Sequence, residues 1–390
     1  YMKILHTSDW HLCHSLYMYD RSEEQLSMLQ QITDIIREEQ PDALVVSGDV
    51  FHNAQPSAAA QTMFTDAILG MVKACPNMKV IVTAGNHDSG TRHEVFRSPW
   101  LDLNVFMIGT LDETLEKHIV EIPNKGFIVA VPYAHTRNMP DNFYQTLLDA
   151  VAERNQNQLP VVLSAHTTVK GCDASGHELS TDYMVGGIDY MEMSEMGSGY
   201  DYLALGHIHH AQFVQGGNHR VRYSGTPLAV SFDENYQHSV TIVELEGHGE
   251  NATVNCRTRE IVNLHPLVTL PENGMTDWDS ALQMLAAYPA DKPDYIRLNV
   301  EVEGYLPSDA NAQARKLTDG KQCRFCLINA KRKRTASETV KNMTMSEFQA
   351  ENPINIAKRY AEDKGRPFDD DMKSLFEEVV RLVREEDNNQ

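Results

Sequence analysis

The sequence predicts a layered α/β domain followed by a small α+β unit and C-terminal helices, and three observations predict it. Short apolar runs bounded by turn residues alternate with segments of helical periodicity, ionisable residues follow the carboxyl ends of those runs, and the patterning changes near residue 265. At 390 residues the chain exceeds the usual single core, so a large domain with smaller companions is expected.

The runs KILHT at 3–7, ALVVS at 43–47 and VIVTA at 80–84 have the length and borders of buried strands. Between them, Leu26, Leu29, Ile32 and Ile36 recur at helical spacing before Pro41, and Ala60, Phe64, Ile68 and Met71 do so before Pro76. The opening therefore reads strand, helix, strand, helix, strand. Further strand-like runs lie at 127–131, 161–165, 202–205, 221–223 and 239–245, with a glycine-bearing loop region at 171–199. Residues 1–264 read as one domain. Beyond it, Pro266 and Pro271 precede a short helix near 277–287, and Ile296, Leu298, Val300 and Val302 alternate as in a half-exposed strand. Ser308 is placed as the cap of a helix that Gly320 ends, and CRFCLIN at 323–329 returns as a strand. This gives a second unit at 265–344. Residues 345–390 read as helical, with Leu375, Phe376, Val379, Val380 and Val383 on a wide apolar face.

No apolar run approaches membrane-spanning length, and the opening YMKILHTSDW reads as a strand rather than a secretory leader. The six cysteines are scattered without a scaffold pattern, which suits a reducing compartment, so a cytoplasmic protein with free thiols is expected. Lys and Arg total 34 against 55 Asp and Glu, a formal charge of -21, which excludes nucleic-acid binding through bulk positive charge. Binding through bound cations, a locally basic surface or a partner remains compatible with that balance.

The chemistry concentrates after the strands: Asp9 and His11, Asp49, Asn86 and His87, His166, and His207 and His209. In layered α/β folds the loops at carboxyl strand ends line one crevice, so residues distant in sequence meet there. Two Asp, one Asn and four His, with His87 left over, suit two divalent ions such as Mn²⁺, Zn²⁺ or Fe²⁺ better than Ca²⁺ or Mg²⁺. One such string alone is weak, since Asp and Gly are common in turns; five in order are strong.

These strings, DWH at 9–11, GD at 48–49, GNHD at 85–88, His166 and GHIH at 206–209, resemble the motifs of the calcineurin-like metallophosphoesterases. The resemblance is closer to the double-strand-break repair nuclease branch that includes bacterial SbcD, through SGDVFHNAQPS at 47–57, YLALGHIHHAQ at 202–212 and YSGTPLAVSFDE at 223–234. It extends to the second unit, where DYIRLNVEV at 294–302 and GKQCRFCLI at 320–328 resemble the capping domain of these nucleases. The resemblance implies a β-sandwich flanked by helices. It implies Asp9, His11, Asp49 and His209 on one ion and Asp49, Asn86, His166 and His207 on the other, most often Mn²⁺. It further implies that His87 is the catalytic histidine and that His52 lies near the substrate phosphate; Asp88, next to His87, reads as the group that orients its ring. The substrate implied is DNA, cut as a duplex exonuclease and a single-strand or hairpin endonuclease. The family also forms two-fold dimers and docks its C-terminal helices, here MSEFQAENPINIAKRYAEDKGRPFDDDMKSLFEEVVRLV, on the coiled coil of an SbcC ATPase.

Other features have plainer readings. Cys13 stands where the family usually has Gly and reads as a tolerated loop substitution, with contact to an ion as the alternative. Cys323 and Cys326 form C-x-x-C, but residues three apart in a strand face opposite ways, so packing is expected. The run Lys331, Arg332, Lys333 and Arg334 is a solvated turn by default and a DNA-backbone contact by its position. His135, His177, His210 and His238 are assigned to the surface or to supporting roles. Two rival functions remain: a small-molecule or phosphoprotein phosphatase of the same class, which His52 and the capping unit oppose, and a non-catalytic DNA-binding scaffold, which the intact ligand set opposes.

Overall fold

The computed structural model describes residues 1–174, 190–333, 352–363 and 366–387. They divide into two compact units, Tyr1–Leu264 and His265–Gln390. Among the described residues, no helix is long and apolar enough to cross a membrane.

Unit 1 opens with β1 (Met2–Thr7), α1 (Ser22–Glu39), β2 (Ala43–Ser47), α2 (Ala58–Ala74) and β3 (Lys79–Thr83). The short helices α3 (Gly90–His93) and α4 (Arg97–Leu101) lead to β4 (Val105–Ile108). Next come β5 (Ile119–Ile122), β6 (Gly126–Ala130), α5 (Phe143–Arg154), β7 (Val161–His166), β8 (Tyr202–Gly206), β9 (Gln212–Phe213), β10 (Val221–Tyr223), β11 (Ser239–Glu246) and β12 (Thr253–Glu260). They form two six-stranded sheets, β12-β11-β1-β2-β3-β4 and β5-β6-β7-β8-β10-β9. In the first, β1 to β4 run parallel, with Leu5 opposite Leu44, Leu44 opposite Val80, and Val80 opposite Val105. In the second, β6, β7, β8 and β10 are parallel.

Period-two alternation decides which core each side chain enters. Ile4, Val45 and Ile81 face the second sheet and pack with Ile128, Val162 and Ala204, while Leu5, Leu44 and Val80 face outward against Ile32 of α1 and Ile68 of α2. On the far side, Val129, Leu163 and Leu205 pack against Leu147 and Val151 of α5. The result is a four-layer helix–sheet–sheet–helix sandwich, in keeping with the layered class. Because both faces of each central strand are covered, these strands read as continuous apolar runs. Each fully buried Leu or Ile contributes about 1.5–3 kcal/mol. Ser57 starts α2 by accepting a hydrogen bond from Ala60 N (3.2 Å).

Unit 2 contains β13 (Leu267–Leu270), α6 (Trp278–Ala287), β14 (Tyr295–Val302), α7 (Ala310–Thr318), β15 (Arg324–Arg332), α8 (Pro353–Asp363) and α9 (Asp370–Asp387). Its three strands form a parallel sheet in the order β13-β14-β15. Buried Ile296, Leu298 and Val300 share a core with Leu285, Ala314 and Phe325. One expectation is corrected: the residue capping α7 is Asp309, not Ser308, and Asp309 makes no side-chain capping bond. The Pro307 carbonyl instead receives the Ala310 N–H (3.0 Å), which closes the turn one residue later.

Candidate metal centre and active site

Every ligand candidate sits at or just past the carboxyl end of a parallel strand: Asp9 and His11 after β1, Asp49 after β2, Asn86 after β3, His166 ending β7, and His207 and His209 after β8. They meet in two groups, Asp9–His11–His209 and Asp49–His166–His207, the ligand atoms of each lying within 4.8 Å of one another. Asp49 joins the groups, its Oδ2 lying 3.3 Å from His166 Nε2 and 3.9 Å from His11 Nε2. Asn86 Oδ1 lies 2.9 Å from His166 Nε2 and 3.0 Å from His207 Nδ1.

The surroundings fix the orientation of these groups. His166 Nδ1 donates to the Ser47 carbonyl (2.8 Å), which leaves Nε2 facing Asp49 as the nitrogen that a cation, displacing its proton, would take. His209 Nδ1 is held 2.9 Å from the buried Glu234 carboxylate, which directs Nε2 to within 3.2 Å of His11 Nε2. Asp9 accepts from Ser8 Oγ and from His207 N. Asp9 and Asp49 are buried, and among the described residues neither forms a salt bridge with Lys or Arg. Burial raises the Asp9 carboxyl, with His166 and His209 opposing. Burial also drives Asp49 upward, but the adjacent His166 overrides it and holds the carboxyl below the usual range. Against the burial that lowers it, the Asp49 carboxylate pushes His166 up to about 9. A crevice of buried carboxylates and imidazole nitrogens, with no Lys or Arg paired to them among the described residues, has the donor set that divalent ions require, so the residues fit a metal pair.

The backbone is shaped to the same end. Asp9, His11, Asp49 and His207 all have positive φ, at 55°, 44°, 51° and 97°. Such conformations are uncommon outside Gly, with Asn, Asp and His the types that enter them most readily, and here they gather at the ends of β1, β2 and β8. The glycines ahead of the ligands allow close approach. A Cβ on Gly85 would overlap the Asp49 carboxylate and backbone N, and one on Gly206 would overlap the Ser47 carbonyl.

Residues 2–211 match the model of the Calcineurin-like phosphoesterase family, and residues 263–364 match that of the Type 5 capsule protein repressor C-terminal domain. The chain is 31% identical over 275 residues to the SbcD subunit of nuclease SbcCD from Rhodobacter capsulatus, spanning 63% of this chain and 67% of that protein. The chain belongs to the calcineurin-like phosphoesterase family, in its SbcD branch. The corresponding SbcCD nuclease subunit of Escherichia coli is 26% identical over 387 residues, covering 91% of this chain and 92% of its own. That of Bacillus subtilis is 31% identical over 272 residues, covering 65% and 68%.

Beside the ligand groups of this phosphoesterase lies a third cluster, His11, His52 and His87, whose ring nitrogens also fall within 4.8 Å of one another. The His52 and His87 rings stack at 5.6 Å and 19°. His87 Nδ1 donates to the His52 carbonyl (2.9 Å), and His87 N donates to Asp49 Oδ1 (2.8 Å). Asp88 does not orient the His87 ring as expected. Its carboxylate accepts instead from the backbone N–H groups of Val50 (3.1 Å), Phe51 (2.9 Å) and Gly85 (2.9 Å), because burial requires it to be satisfied and these donors surround it. Asp88 therefore stitches the GD loop to the GNHD loop and acts on His87 through the backbone.

Sequence reasoning assigned no role to Glu234, although the motif containing it stood out. Cys13 is exposed, with Sγ 3.1 Å from Ser57 Oγ, and it joins none of the three clusters. Cys323 is buried and Cys326 half-buried, and both are free thiols. In unit 2, Lys331 and Arg332 end β15 opposite Glu301 and Val302, and Lys333 N donates to the Val302 carbonyl (2.7 Å). Arg334 and His177 lie outside the described residues.

Proposed function

We propose that this phosphoesterase is the DNA nuclease subunit of an SbcCD-like complex. Its proposed work is exonuclease action on duplex ends and endonuclease action on single strands and hairpins, in DNA repair and recombination. The observation that supports it most is the pair of ligand groups joined by Asp49, flanked by stacked His52 and His87.

Asp9, His11, Asp49 and His209 would hold one cation, and Asp49, Asn86, His166 and His207 the second, with Mn²⁺ the ion proposed. When bound, the pair supplies Lewis acidity toward a phosphate and lowers the pKa of a water. The chain's own groups act around it. His87 Nδ1–H donates to the His52 carbonyl, which aims Nε2 outward, and in the doubly protonated ring that nitrogen carries a second proton, taken from solvent, that would pass to the departing 3′ oxygen. His52, stacked on that ring, is positioned to contact the same phosphate. Asp88 keeps the two loops in register. Glu234 holds His209 in the tautomer that offers Nε2 to a cation.

Because the chain carries a net charge of -21, DNA would be held through the cations, a basic stretch at Lys331, Arg332 and Lys333 in unit 2, and a partner. Residues 265–344 would guide DNA as a cap, and the helices within 345–390 would receive the coiled coil of an SbcC-like ATPase. The exposure of Tyr360 (66%) on α8 and of Leu375 (64%) and Val379 (48%) on α9 supports that docking role. A homodimer through helices of the catalytic unit is also proposed, and exposed Val95 and Phe96 between α3 and α4 supply an apolar patch for it.

The test compares Mn²⁺-dependent cleavage of a labelled DNA hairpin with hydrolysis of a phosphomonoester by the full chain. Preferential cleavage of the hairpin is expected, and preference for the monoester would instead make the chain a phosphatase. Truncation before residue 345 should abolish ATPase binding while hydrolysis of a simple phosphodiester continues.

A further inference from the structure

We infer that His11, His52 and His87 form a third cation seat, selective for Zn²⁺ over Mn²⁺, whose filling switches off cleavage at the metal pair beside it. One ring nitrogen from each of these histidines lies within 4.8 Å of the others. The rings arrive from three strand ends: His11 after β1, His52 after β2 and His87 after β3. The His11 ring meets that of His87 at 5.0 Å and that of His52 at 5.7 Å, edge-on in both cases.

The chain leaves nitrogens of these rings unused. Nδ1 of His11 and Nδ1 of His52 are buried and have no hydrogen-bond partner among the described residues. His11 as a whole is only 2% exposed. A buried polar atom without a partner marks a place for a water or an ion. His11 Nε2 already faces the first ligand group, 3.2 Å from His209 Nε2 and 3.9 Å from Asp49 Oδ2, so that ring has one nitrogen for the pair and one over. His87 Nδ1 donates to the His52 carbonyl, which makes Nε2 the nitrogen that His87 can offer.

Three imidazoles with an open fourth position are a shell that zinc accepts, at bonds of about 2.0–2.1 Å. A tetrahedron of such bonds sets the nitrogens about 3.4 Å apart, so the rings need to close by at most about 1.4 Å. Mn²⁺ binds nitrogen most weakly among these divalent ions and favours carboxylate and water, and this cluster holds no carboxylate. The other two groups each include one, Asp9 or Asp49, so ligand chemistry sorts the seats. Neutral rings do not offset a third positive ion, and the pair repels it, so this seat fills last. A cation on His87 Nε2 displaces to solvent the proton that the ring would pass to the departing oxygen, and it draws His52 away from the phosphate.

The seat stands on the cluster itself, and its effect on cleavage rests on the nuclease reading above. The test equilibrates the full chain with Mn²⁺ and then with Zn²⁺, and counts both metals per chain by elemental analysis. Co²⁺ in place of Zn²⁺ reports geometry. The unaltered chain should hold three ions in total, and the third equivalent of Co²⁺ should bring the strong visible absorption of a tetrahedral ion. His52→Gln and His87→Gln, each checked for an unchanged Tm, should hold two ions and lack that absorption. In excess Mn²⁺, filling the seat with Zn²⁺ should slow hairpin cleavage by the unaltered chain about a hundredfold or more, the share of a positioned general acid, and leave the lower residual rate of His52→Gln as it was. Two ions on the unaltered chain would overturn the seat, because water would then satisfy the orphaned nitrogens. A third ion kept by both variants would overturn it too, by placing that ion elsewhere. Three ions with undiminished cleavage would overturn the switch. A chain that holds three ions but cuts no DNA with Mn²⁺ alone would overturn the nuclease reading and leave the seat standing.

Discussion

Replacing Glu234 with Gln tests how much of the metal centre depends on a residue that would touch no ion. The Glu234 side chain is 2% exposed, its Oε1 lies 2.9 Å from His209 Nδ1, and its Oε2 accepts from Val230 N (3.3 Å). Burial lowers the His209 pKa, and Glu234, with Asp9 and Asp49, overcomes this and raises it. Glutamine has the same shape but no charge and one acceptor fewer. If its oxygen serves His209, its amide faces the Val230 N–H, and if its oxygen serves Val230, the His209 tautomer is no longer specified. Partners of this kind are worth about 10–100-fold in metal affinity, or roughly 1.4–2.8 kcal/mol. Titration calorimetry with Mn²⁺ should therefore show one binding event weakened by that factor, the one involving His209, and the other left in place. A variant that binds both ions as tightly as the unaltered protein would refute the argument. Equal weakening of both events would refute it too, because loss of fold rather than loss of orientation would then be the cause.

Three further outcomes are expected. His87→Asn should lower DNA cleavage by about 10²–10⁴-fold while Mn²⁺ uptake and DNA binding persist, as read by single-turnover assay, calorimetry and anisotropy. Gly85→Ala forces a methyl group against the Asp49 carboxylate, so denaturant unfolding should show a loss of about 1–3 kcal/mol together with impaired Mn²⁺ uptake. Glu39 on α1 is bonded by Arg257 and Arg259 of β12, and chiefly the Arg257 contact holds its carboxyl down at about 2, against a smaller upward push from burial. Its stabilisation is present above its ordinary value near 4.5 and fades as pH falls toward 2. With solvent screening of the partly exposed arginines, Glu39→Gln should cost about 1 kcal/mol at pH 7 and progressively less below pH 4, measured by urea unfolding across pH.

What the sequence reveals and what it hides follow from how locally each residue's role is encoded. Strands such as ALVVS at 43–47 are legible because both of their faces are covered, which forces an unbroken apolar run. β12 escapes such reading because it is an edge strand, TVNCRTRE, whose alternation is polar and whose arginines serve α1 rather than a core. Edge strands carry charge to avoid pairing with other chains, so the signal that hides them is itself functional. The ligand set was legible because Asp9, Asp49, Asn86 and His207 each follow a strand closely. Glu234 was not, because it lies in an irregular loop and acts only through His209. The role of Asp88 was misjudged for a related reason: adjacency to His87 suggested a ring partner, whereas the free donors nearby belong to the backbone of a different loop.

Backbone conformation adds to what residue type shows at the metal centre, although positive φ also occurs elsewhere, as at Gln40, where α1 ends, and at Gln158. Asn104, Asn124, Asn142 and Asn218 also have positive φ, but asparagine tolerates that region and these residues need no further account. Asp9, His11, Asp49 and His207 occupy the same region, which Asp and His enter more readily than most types, and all four are ligand candidates gathered within one crevice. There the residue types that a metal centre needs are also ones the turned backbone accepts, and the buried sandwich beneath holds four such turns at neighbouring strand ends.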